Sequence, residues 1–318
     1  MKAIAHDTGT LVWTDVPDPE PQEGEALVRV RAAGVNRADL VQRAGGYPPP
    51  DGASPVLGLE MAGEVLEAPA GSGWRAGDRV CALLPGGGYA ERVVVATGLL
   101  LPVPEGLSFE EAASLPEAHL TAYLNLFQEA SVRAGERALI HGGASGVGTA
   151  AVQQLREADV RVATTSSARK VARCRELGAD PALDRNDRTW PERLQRAWGG
   201  VDVILDMVGR AVADAGFELL ATDGRLVWIA ALSGRTVRID VPTLMRKRLT
   251  LKGSTLRSRP VPEKVALTRA FRERFFAHLV DGRIVPVLDR VLDAPRAEEA
   301  HDALRRNLTV GKVVLRIP

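Results

Sequence analysis

The segment from Arg137 to Ala150 reads RALIHGGASGVGTA, and the interpretation of the whole chain starts from it. Its apolar run, Ala138 to Ile140, predicts a buried parallel strand, and a cluster of small residues comes next. The stretch from Val147 to Leu155 then places apolar residues at helical spacing. A strand, a glycine-rich turn and a helix in this order form the setting in which a loop holds the pyrophosphate of a dinucleotide.

Small residues in the turn allow the close approach that a pyrophosphate requires. The spacing is Gly142-x-x-Ser145-x-x-Gly148 with Gly146 in between, which differs from the pattern GxGxxG. Gly142 suits a tight turn, and Gly148 lets the helix pack close to the strand. We expect backbone N–H groups near Ser145, Gly146 and Val147 to face the pyrophosphate at the positive end of the helix. A loop of small residues can also be a purely structural turn, so the prediction needs support from residues beyond the loop.

Composition limits the class of protein. The chain has 318 residues, enough for two domains, and its 45% hydrophobic and 25% charged residues are ordinary for a globular protein. A net charge of +1 gives no bulk attraction to nucleic acid or to an anionic membrane. No apolar run approaches the ~18 residues of a membrane span, and the N-terminus lacks the apolar core of a signal peptide. The two cysteines, Cys81 and Cys174, have no metal-binding spacing, and together these features predict a cytoplasmic protein.

The patterning changes twice along the chain. Residues 1–117 hold short, partly alternating strands separated by turn signals, which predicts a small β unit, open or barrel-like. From there to residue 280 strands and helices alternate, which predicts an α/β protein with a doubly wound parallel sheet. The β-rich character then returns. We therefore predict one domain from 1–117 plus 281–318, with a dinucleotide-binding domain inserted at 118–280.

Cofactor choice is set at the end of the second strand of such a sheet, where an acidic residue about 20 positions after the glycines would bind a ribose hydroxyl and favour NAD. Here Ser166, Ser167, Arg169 and Lys170 offer hydroxyls and cations instead, which suit a 2′-phosphate. Arg185, after the third strand, is a candidate second cation. These residues predict NADPH as the cofactor. The alternative is that Arg169 and Lys170 form a solvated first helical turn, although cations there oppose the helix dipole.

A series of motifs runs along nearly the whole chain. They are Ala33–Leu40 (AGVNRADL), Tyr47–Pro50 (YPPP), Leu57–Glu60 (LGLE), Ala76–Val80 (AGDRV), Leu84–Ala90 (LPGGGYA), the glycine loop, Val201–Asp206 (VDVILD), Leu256–Arg259 (LRSR) and Gly311–Leu315 (GKVVL). With these motifs the chain resembles the quinone oxidoreductases of the zeta-crystallin branch of the medium-chain dehydrogenase/reductase superfamily, in particular the stress-inducible NADPH quinone oxidoreductases. The resemblance implies a GroES-like β domain, a Rossmann domain and a nicotinamide site in the cleft between them. It also implies a homodimer formed through sheet edges near Thr250 to Ser254.

The resemblance further implies which residues meet the cofactor. Asn36, Tyr47 and Thr121 would line the nicotinamide end. Backbone groups that hold the ring amide and the ribose would come from Ile229, Ala230, Ala231, Leu232, Thr255 and Leu256, and Asn307 would approach the nicotinamide–ribose side. Each of the first three has a structural alternative: Asn36 as an αL or capping residue, Tyr47 packed on the prolines, and Thr121 as an ordinary helix residue.

One departure from the zinc alcohol dehydrogenases decides the predicted chemistry. Where those enzymes have a Gly-His-Glu motif, this chain has Gly58-Leu59-Glu60, and leucine does not ligate a metal. No metal is therefore expected, and His141 and His119 are interpreted as structural residues. Glu60 and Asp39 are interpreted as residues that orient loops.

Without a Lewis acid, the simplest acceptor is a quinone or another conjugated carbonyl, because it spreads the arriving charge over its own π system. We therefore predict NADPH-dependent reduction of quinones by hydride transfer. Tyr47 and Asn36 are the predicted catalytic residues, and Tyr47 or water is the proton source.

Two other functions remain open from the sequence. An enone or enoyl-thioester reductase could use the run Arg246-Lys247-Arg248 for a CoA phosphate, although that run also flanks a predicted sheet-edge strand. A structural or RNA-associated NADPH-binding protein would use the same run together with Arg257-Ser258-Arg259. Few aromatic residues are interleaved with these cations, which disfavours nucleic acid as a partner.

Overall fold

The computed structural model describes residues 1–5 and 9–318, so that His6 lies outside the described residues. The chain forms two compact units. Unit 1 combines residues 1–120 with 257–318, and unit 2 is the continuous stretch 121–256. An interrupted first domain with an inserted second domain is the arrangement that the patterning predicts.

The described strands are β1 (Lys2–Ala5), β2 (Val12–Asp15), β3 (Glu25–Val35), β4 (Glu60–Glu67), β5 (Arg79–Leu83), β6 (Arg92–Ala96), β7 (Leu100–Pro102), β8 (Arg137–His141), β9 (Arg161–Ser166), β10 (Ala182–Asp184), β11 (Val201–Asp206), β12 (Leu220–Trp228), β13 (Thr250–Gly253), β14 (Leu288–Asp293) and β15 (Lys312–Arg316).

The described α-helices are α1 (Arg37–Arg43), α2 (Phe109–Ala112), α3 (Pro116–Tyr123), α4 (Gly146–Arg156), α5 (Ala168–Glu176), α6 (Trp190–Trp198), α7 (Arg210–Leu219), α8 (Val241–Lys247), α9 (Val261–Val280) and α10 (Ala297–Arg305). A π-helical segment, Leu124–Glu129, continues α3. Among the described helices, none combines the length and the apolar character needed to cross a bilayer.

Unit 1 is built on a seven-stranded sheet in the order β14-β15-β3-β4-β5-β7, with β6 also paired to β3. The long strand β3 alternates buried and more exposed residues over most of its length, so one face packs on the core. Strand β15 lies between β14, to which it is parallel, and β3, to which it is antiparallel. The C-terminal strand β15 therefore lies inside the sheet of unit 1, next to β3 from the N-terminal part of the chain.

Unit 2 contains a six-stranded parallel sheet in the order β10-β9-β8-β11-β12-β13. Numbered from β8, this is the doubly wound order 3-2-1-4-5-6, in which ligands bind outside the carboxyl ends of the two central strands. Those strands are β8 and β11. The predicted fold class is confirmed, and the glycine loop follows β8 at the predicted binding edge.

Helix α9 departs from the predicted domain boundary at residue 280, because it belongs to unit 1 and the second boundary falls at 256/257. The apolar face of the helix explains this placement. Phe271 is buried and its ring packs 5.9 Å from the His119 ring. Val265 packs against the core of unit 1, where the missing side chain of Gly98 makes room for it. Periodicity shows that a helix has an apolar face but not which neighbour covers that face.

Candidate active site and cofactor site

The loop after β8 requires its glycines for steric reasons. Gly142 has a φ of +79°, which side-chain-bearing residues rarely adopt. A Cβ on Gly143 would lie 2.5 Å from the Cβ of Thr164. A Cβ on Gly148 would lie 2.3 Å from the backbone oxygen of Gly142, so α4 packs directly on the loop. The loop and the start of α4 are thus held together at a distance that only glycine permits.

Helix α4 begins at this loop and presents its first N–H groups there. Ser145 is the N-cap, and its Oγ accepts a hydrogen bond from the Gly148 N–H at 3.0 Å. Gly146 and Val147 lie in the first turn, where N–H groups have no intrahelical acceptor. The Ser145 hydroxyl also lies 3.2 Å from Met207 Sδ, just beyond β11, so the loops after the two central strands meet. This geometry fits a pyrophosphate at the helix N-terminus.

The end of β9 fits a 2′-phosphate. Ser167 is the N-cap of α5, but its hydroxyl caps no N–H group. Its Oγ is buried and has no hydrogen-bond partner within the described residues. The N–H of Arg185 binds the Ser166 carbonyl at 2.7 Å, while its side chain is exposed. Asp184, beside Ser166 in the sheet, accepts a hydrogen bond from Asn186 N–H at 3.0 Å and is engaged locally.

Asp206 holds the loop after β11 and the end of β12 together, and it is not among the predicted site residues. Its buried carboxylate accepts hydrogen bonds from the N–H groups of Val208 and Gly209 at 2.6 and 3.0 Å and from Trp228 Nε1 at 2.8 Å. Burial raises the pKa of this carboxyl, and the three donors act in the opposite direction. The Ile229 N–H then binds the Asp206 carbonyl at 2.9 Å. The sequence feature that could have identified Asp206 is an acidic residue at the end of a strand, β11, at the predicted binding edge of the sheet.

The remaining predicted residues of unit 2 lie near the ends of its elements. Ile229 to Leu232 follow β12, and Leu232 is 56% exposed. Thr255 is exposed and Leu256 is buried, both just beyond β13. Thr121 is buried on α3, and its Oγ1 has no hydrogen-bond partner in the described part of the chain. The contacts of these residues with a cofactor stay predictions.

In unit 1, Asn36 starts α1 and is held from three sides. Its backbone N–H donates to Asp39 Oδ2 at 2.7 Å. Its Nδ2 donates to Glu60 Oε1 at 2.9 Å, and its Oδ1 accepts from Lys312 Nζ at 2.6 Å. The φ of Asn36 is −122°, so the αL alternative is wrong, whereas its place at the helix N-cap agrees with the capping alternative. The amide is therefore fixed in orientation by protein groups.

Glu60 and Lys312 form a buried ion pair around which other carboxyl groups collect. Their side chains are 0% and 5% exposed. Glu60 Oε2 also accepts the backbone N–H of Glu117 at 2.8 Å. Gly34 makes room for this carboxylate, because a Cβ there would lie 2.1 Å from Glu60 Oε1. Burial, followed by the nearby charge of Glu60, raises the pKa of Glu117 to about 8, so Glu117 holds a proton at neutral pH.

Asp39 links α1 to the loop before β4. Its Oδ1 accepts the Gly58 N–H at 3.1 Å, and its Oδ2 accepts the hydroxyl of Tyr89 at 3.1 Å. The same hydroxyl lies 3.3 Å from His301 Nε2. Burial raises the pKa of Asp39 to about 6. Asp39 and Glu60 thus orient loops and helix starts, which is the role predicted for them.

Tyr47 lies after α1 in contact with Arg257. The guanidinium carbon lies 5.2 Å from the ring centroid, and Arg257 Nη1 donates to the Tyr47 carbonyl at 3.2 Å. The tyrosine is half-buried. Burial raises the pKa of its phenol, Glu117 raises it further, and Arg257 lowers it. A phenol that keeps its proton beside a cation and a protonated carboxyl is a chemically suitable proton donor.

Three other predicted residues have local partners. Asn307 has a φ of +52°, and its Oδ1 accepts a hydrogen bond from Arg37 Nη2 at 2.7 Å. His141 ends β8, where its Nδ1 lies 2.9 Å from Thr165 Oγ1, and burial lowers its pKa to about 3. Burial also lowers the pKa of His119 to about 3. Both histidines are neutral and buried, as their structural interpretation requires.

The residues present do not fit a catalytic zinc ion. In the part of the chain that the structure describes, no three His, Cys, Asp or Glu side chains come together in a way that could hold a metal. Leu59 is buried and apolar, and Glu60 is already neutralised by Lys312. A zinc ion would need about three nitrogen, sulfur or oxygen ligands at this place.

Two family descriptions match the chain. Residues 22–105 match the alcohol dehydrogenase GroES-like domain, and residues 146–271 match the zinc-binding dehydrogenase family. Quinone oxidoreductase from Sus scrofa is 30% identical over 313 residues, which cover 95% of this chain and 92% of that protein. The chain belongs to the quinone oxidoreductase type of the medium-chain dehydrogenases/reductases. Membership makes it an oxidoreductase with a nicotinamide cofactor.

Solved structures and a much longer relative complete the comparison. The quinone oxidoreductase of Thermus thermophilus, solved alone and with NADPH, matches with a TM-score of 0.85 and 38% identity over 99% of this chain and 100% of that chain. An NAD-dependent alcohol dehydrogenase matches with a TM-score of 0.88 and 30% identity over 100% of both chains. Polyketide synthase GfsB from Streptomyces halstedii is 32% identical over 303 residues, which are 93% of this chain but 5% of that protein.

Proposed function

We propose that this oxidoreductase reduces quinones with NADPH and without a metal. The observation that carries the proposal is the half-buried phenol of Tyr47, whose ring lies against Arg257 and whose pKa is affected by Glu117, in a unit whose described residues bring no three zinc ligands together. Such a site supplies a proton and a fixed geometry, but no Lewis acid. A quinone needs only these, because its π system accepts the charge of the incoming hydride.

The chain's own residues then have defined tasks. The bound nicotinamide supplies the hydride. Tyr47 donates its phenolic proton to the acceptor oxygen, and water restores that proton. Asn36, fixed by Glu60 and Lys312, keeps one wall of the site rigid. Preorganised groups of this kind lower a barrier because they do not reorganise during the reaction.

The test is NADPH oxidation by purified, chelator-treated protein with benzoquinone, larger naphthoquinones and an enoyl-CoA as acceptors. We expect rapid turnover of quinones that chelator does not change. Turnover of enoyl-CoA alone would contradict quinone reduction and favour the enoyl reductase.

Two of the three cations in the basic run Arg246 to Arg248 have structural partners. Lys247 Nζ donates to the carbonyl groups that end α7, at 2.7 Å to both Glu218 and Leu220. Arg248 pairs with Asp223. These contacts agree with the structural interpretation, in which the run flanks β13. The RNA-associated alternative would use Arg257, but this side chain is only 5% exposed and therefore does not face a nucleic acid.

NADPH preference makes a prediction for Ser167. Replacing Ser167 with aspartate would put a carboxylate at the proposed 2′-phosphate site while keeping a good helix N-cap. We expect the KM for NADPH to rise about tenfold or more, which corresponds to about 1.4 kcal/mol, whereas the KM for NADH stays the same or falls. Steady-state kinetics with both cofactors measures this. An equal loss with both would contradict a 2′-phosphate site at Ser167.

We also propose a homodimer through β13, as the resemblance implies. This strand is an edge of the six-stranded sheet, and exposed apolar residues lie near it in sequence, with Val241 54% and Met245 71% exposed. An open edge of this kind pairs readily with a second chain. Size-exclusion chromatography with light scattering is expected to give twice the chain mass of 34.0 kDa. A single species at the chain mass would refute the dimer.

A further inference from the structure

Arg257 is the first residue of the C-terminal part of unit 1, and its side chain binds the loop that carries Tyr47. Its Nε donates to the Pro85 carbonyl at 2.8 Å, and its Nη1 donates to the Tyr47 carbonyl at 3.2 Å. The guanidinium also covers the Tyr47 ring at 5.2 Å. Its own backbone is held, because Lys264 Nζ donates to the Arg257 carbonyl at 3.3 Å. The side chain thus contacts both the main chain and the ring of Tyr47.

This cation is buried and forms no ion pair in the described residues, although the carboxyl groups of Asp39 and Glu117 act on it from beyond contact distance. Arg257 is 5% exposed, and no carboxylate in the described residues forms an ion pair with it. Its Nη2 is buried and has no acceptor within the same residues. Burial lowers the pKa of this guanidinium, which reflects the cost of desolvating the charge. An unpaired cation with an unsatisfied donor destabilises the fold, so stability alone does not account for an arginine here.

Proton donation by Tyr47 accounts for an arginine at this position. When Tyr47 donates its proton, its O–H bond breaks, a new O–H bond forms on the acceptor oxygen, and a phenolate remains. A nearby cation favours the charged form of a phenol, and a desolvated cation does so more strongly than an exposed one. The guanidinium over the Tyr47 ring is a cation of this desolvated kind. Proton donation therefore places a negative charge on the ring that Arg257 covers.

We propose that Arg257 is a positioning residue for Tyr47, which holds the phenol in place and stabilises the phenolate left by proton donation. The proposal rests on the proposed function of Tyr47 as proton donor. It adds to that function a residue that need not touch the cofactor or the acceptor.

Fluorinated tyrosine provides the direct test, because its more acidic phenol titrates in a pH range where proteins stay folded. The chain has three tyrosines, so its fluorine NMR spectrum contains few signals, and Tyr47→Phe assigns the one from Tyr47. In Arg257→Met we expect the titration midpoint of Tyr47 to rise by about one pH unit. We expect Arg257→Lys, which keeps a charge but loses the planar contact, to give a smaller rise.

Kinetics and a matched control complete the experiment. Arg257→Met is expected to lower kcat with quinones about tenfold, while the KM for NADPH stays within about twofold. Arg79 is the control, because it also covers an aromatic ring, that of Phe109 at 4.5 Å, and donates to a carbonyl, that of Leu107 at 2.8 Å. Arg79→Met should change neither the Tyr47 midpoint nor kcat.

The possible results separate the two proposals. A Tyr47 midpoint that does not move in folded Arg257→Met protein would overturn the positioning role, whatever the activity. A wild-type protein that reduces no quinone would refute the proposed function, and the NMR midpoint would still decide whether Arg257 acts on the phenol. If Arg257→Met misfolds, Arg257→Lys supplies the same comparison, and an unchanged Tyr47 midpoint there, together with unchanged kcat, would overturn the proposal.

Discussion

Replacing Lys312 with methionine is expected to lower the free energy of unfolding by about 3–5 kcal/mol. The carboxylate of Glu60 would then lie fully buried without its cation, and Asn36 Oδ1 would lose its donor. Breaking a buried pair by removing one partner costs far more than the pair contributes, because the remaining charge is neither solvated nor neutralised. Chemical denaturation followed by circular dichroism measures the change.

Two variants make the result for Lys312 specific. Arg248→Met breaks an ion pair whose side chains are 64% and 65% exposed, so it should cost at most about 1 kcal/mol. Glu60→Gln combined with Lys312→Met removes both charges and should be more stable than Lys312→Met alone. A loss for Lys312→Met no larger than that for Arg248→Met would contradict the buried pair.

Replacing Tyr47 with phenylalanine is expected to lower kcat for quinones about a hundredfold, with little change in the KM for NADPH. The substitution removes only the hydroxyl, so the aromatic ring under Arg257 remains. General acid catalysis by a positioned side chain contributes about this much when water replaces it poorly. Tyr123→Phe, in unit 2, is the matched control and should leave kcat unchanged. Equal rates for wild type and Tyr47→Phe would assign the proton step to another donor.

The pH dependence of the same reaction tests the neighbour of Tyr47. Glu117 has a pKa raised to about 8, so it is neutral below that pH and gains a negative charge above it. This charge raises the pKa of Tyr47 and makes the phenol a weaker acid. We expect kcat of the wild type to fall as the pH rises through about 8, and we expect Glu117→Gln, which stays neutral, to remove that fall. An identical fall in both proteins would place the titrating group elsewhere.

The sequence was most informative where function depends on local spacing. The glycine loop and the serines at the end of β9 lie within about 30 positions of one another, the length of a βαβ unit, and the alternation of strands and helices in unit 2 follows from local periodicity. Helix α9 was placed in the wrong unit because an apolar face does not identify its partner. Asp206 was overlooked because its donors come from two separate parts of the chain, the loop after β11 and the side chain of Trp228 at the end of β12.

The cluster around Glu60 and Lys312 in unit 1 could not be predicted from sequence patterns for a related reason. Glu60 and Lys312 are 252 positions apart, and no spacing rule connects them. No sequence motif marks Glu117. Its raised pKa comes from burial and from the nearby charge of Glu60, and neither can be read from the sequence around it. Arg257 first suggested an exposed RNA footprint, and only its burial and its contacts with Tyr47 show its place in the site.

The position of β15 inside the sheet of unit 1 has a consequence for how the protein is made. Residues 121–256 leave the ribosome as one continuous stretch, so unit 2 is able to complete its sheet while synthesis continues. Unit 1 starts first, yet β3 lacks its neighbour until residues 312–316 emerge. Until then the nascent chain carries the Glu60 carboxylate without Lys312 to neutralise it. Unit 1, whose first strands are synthesised before unit 2, is therefore completed after it.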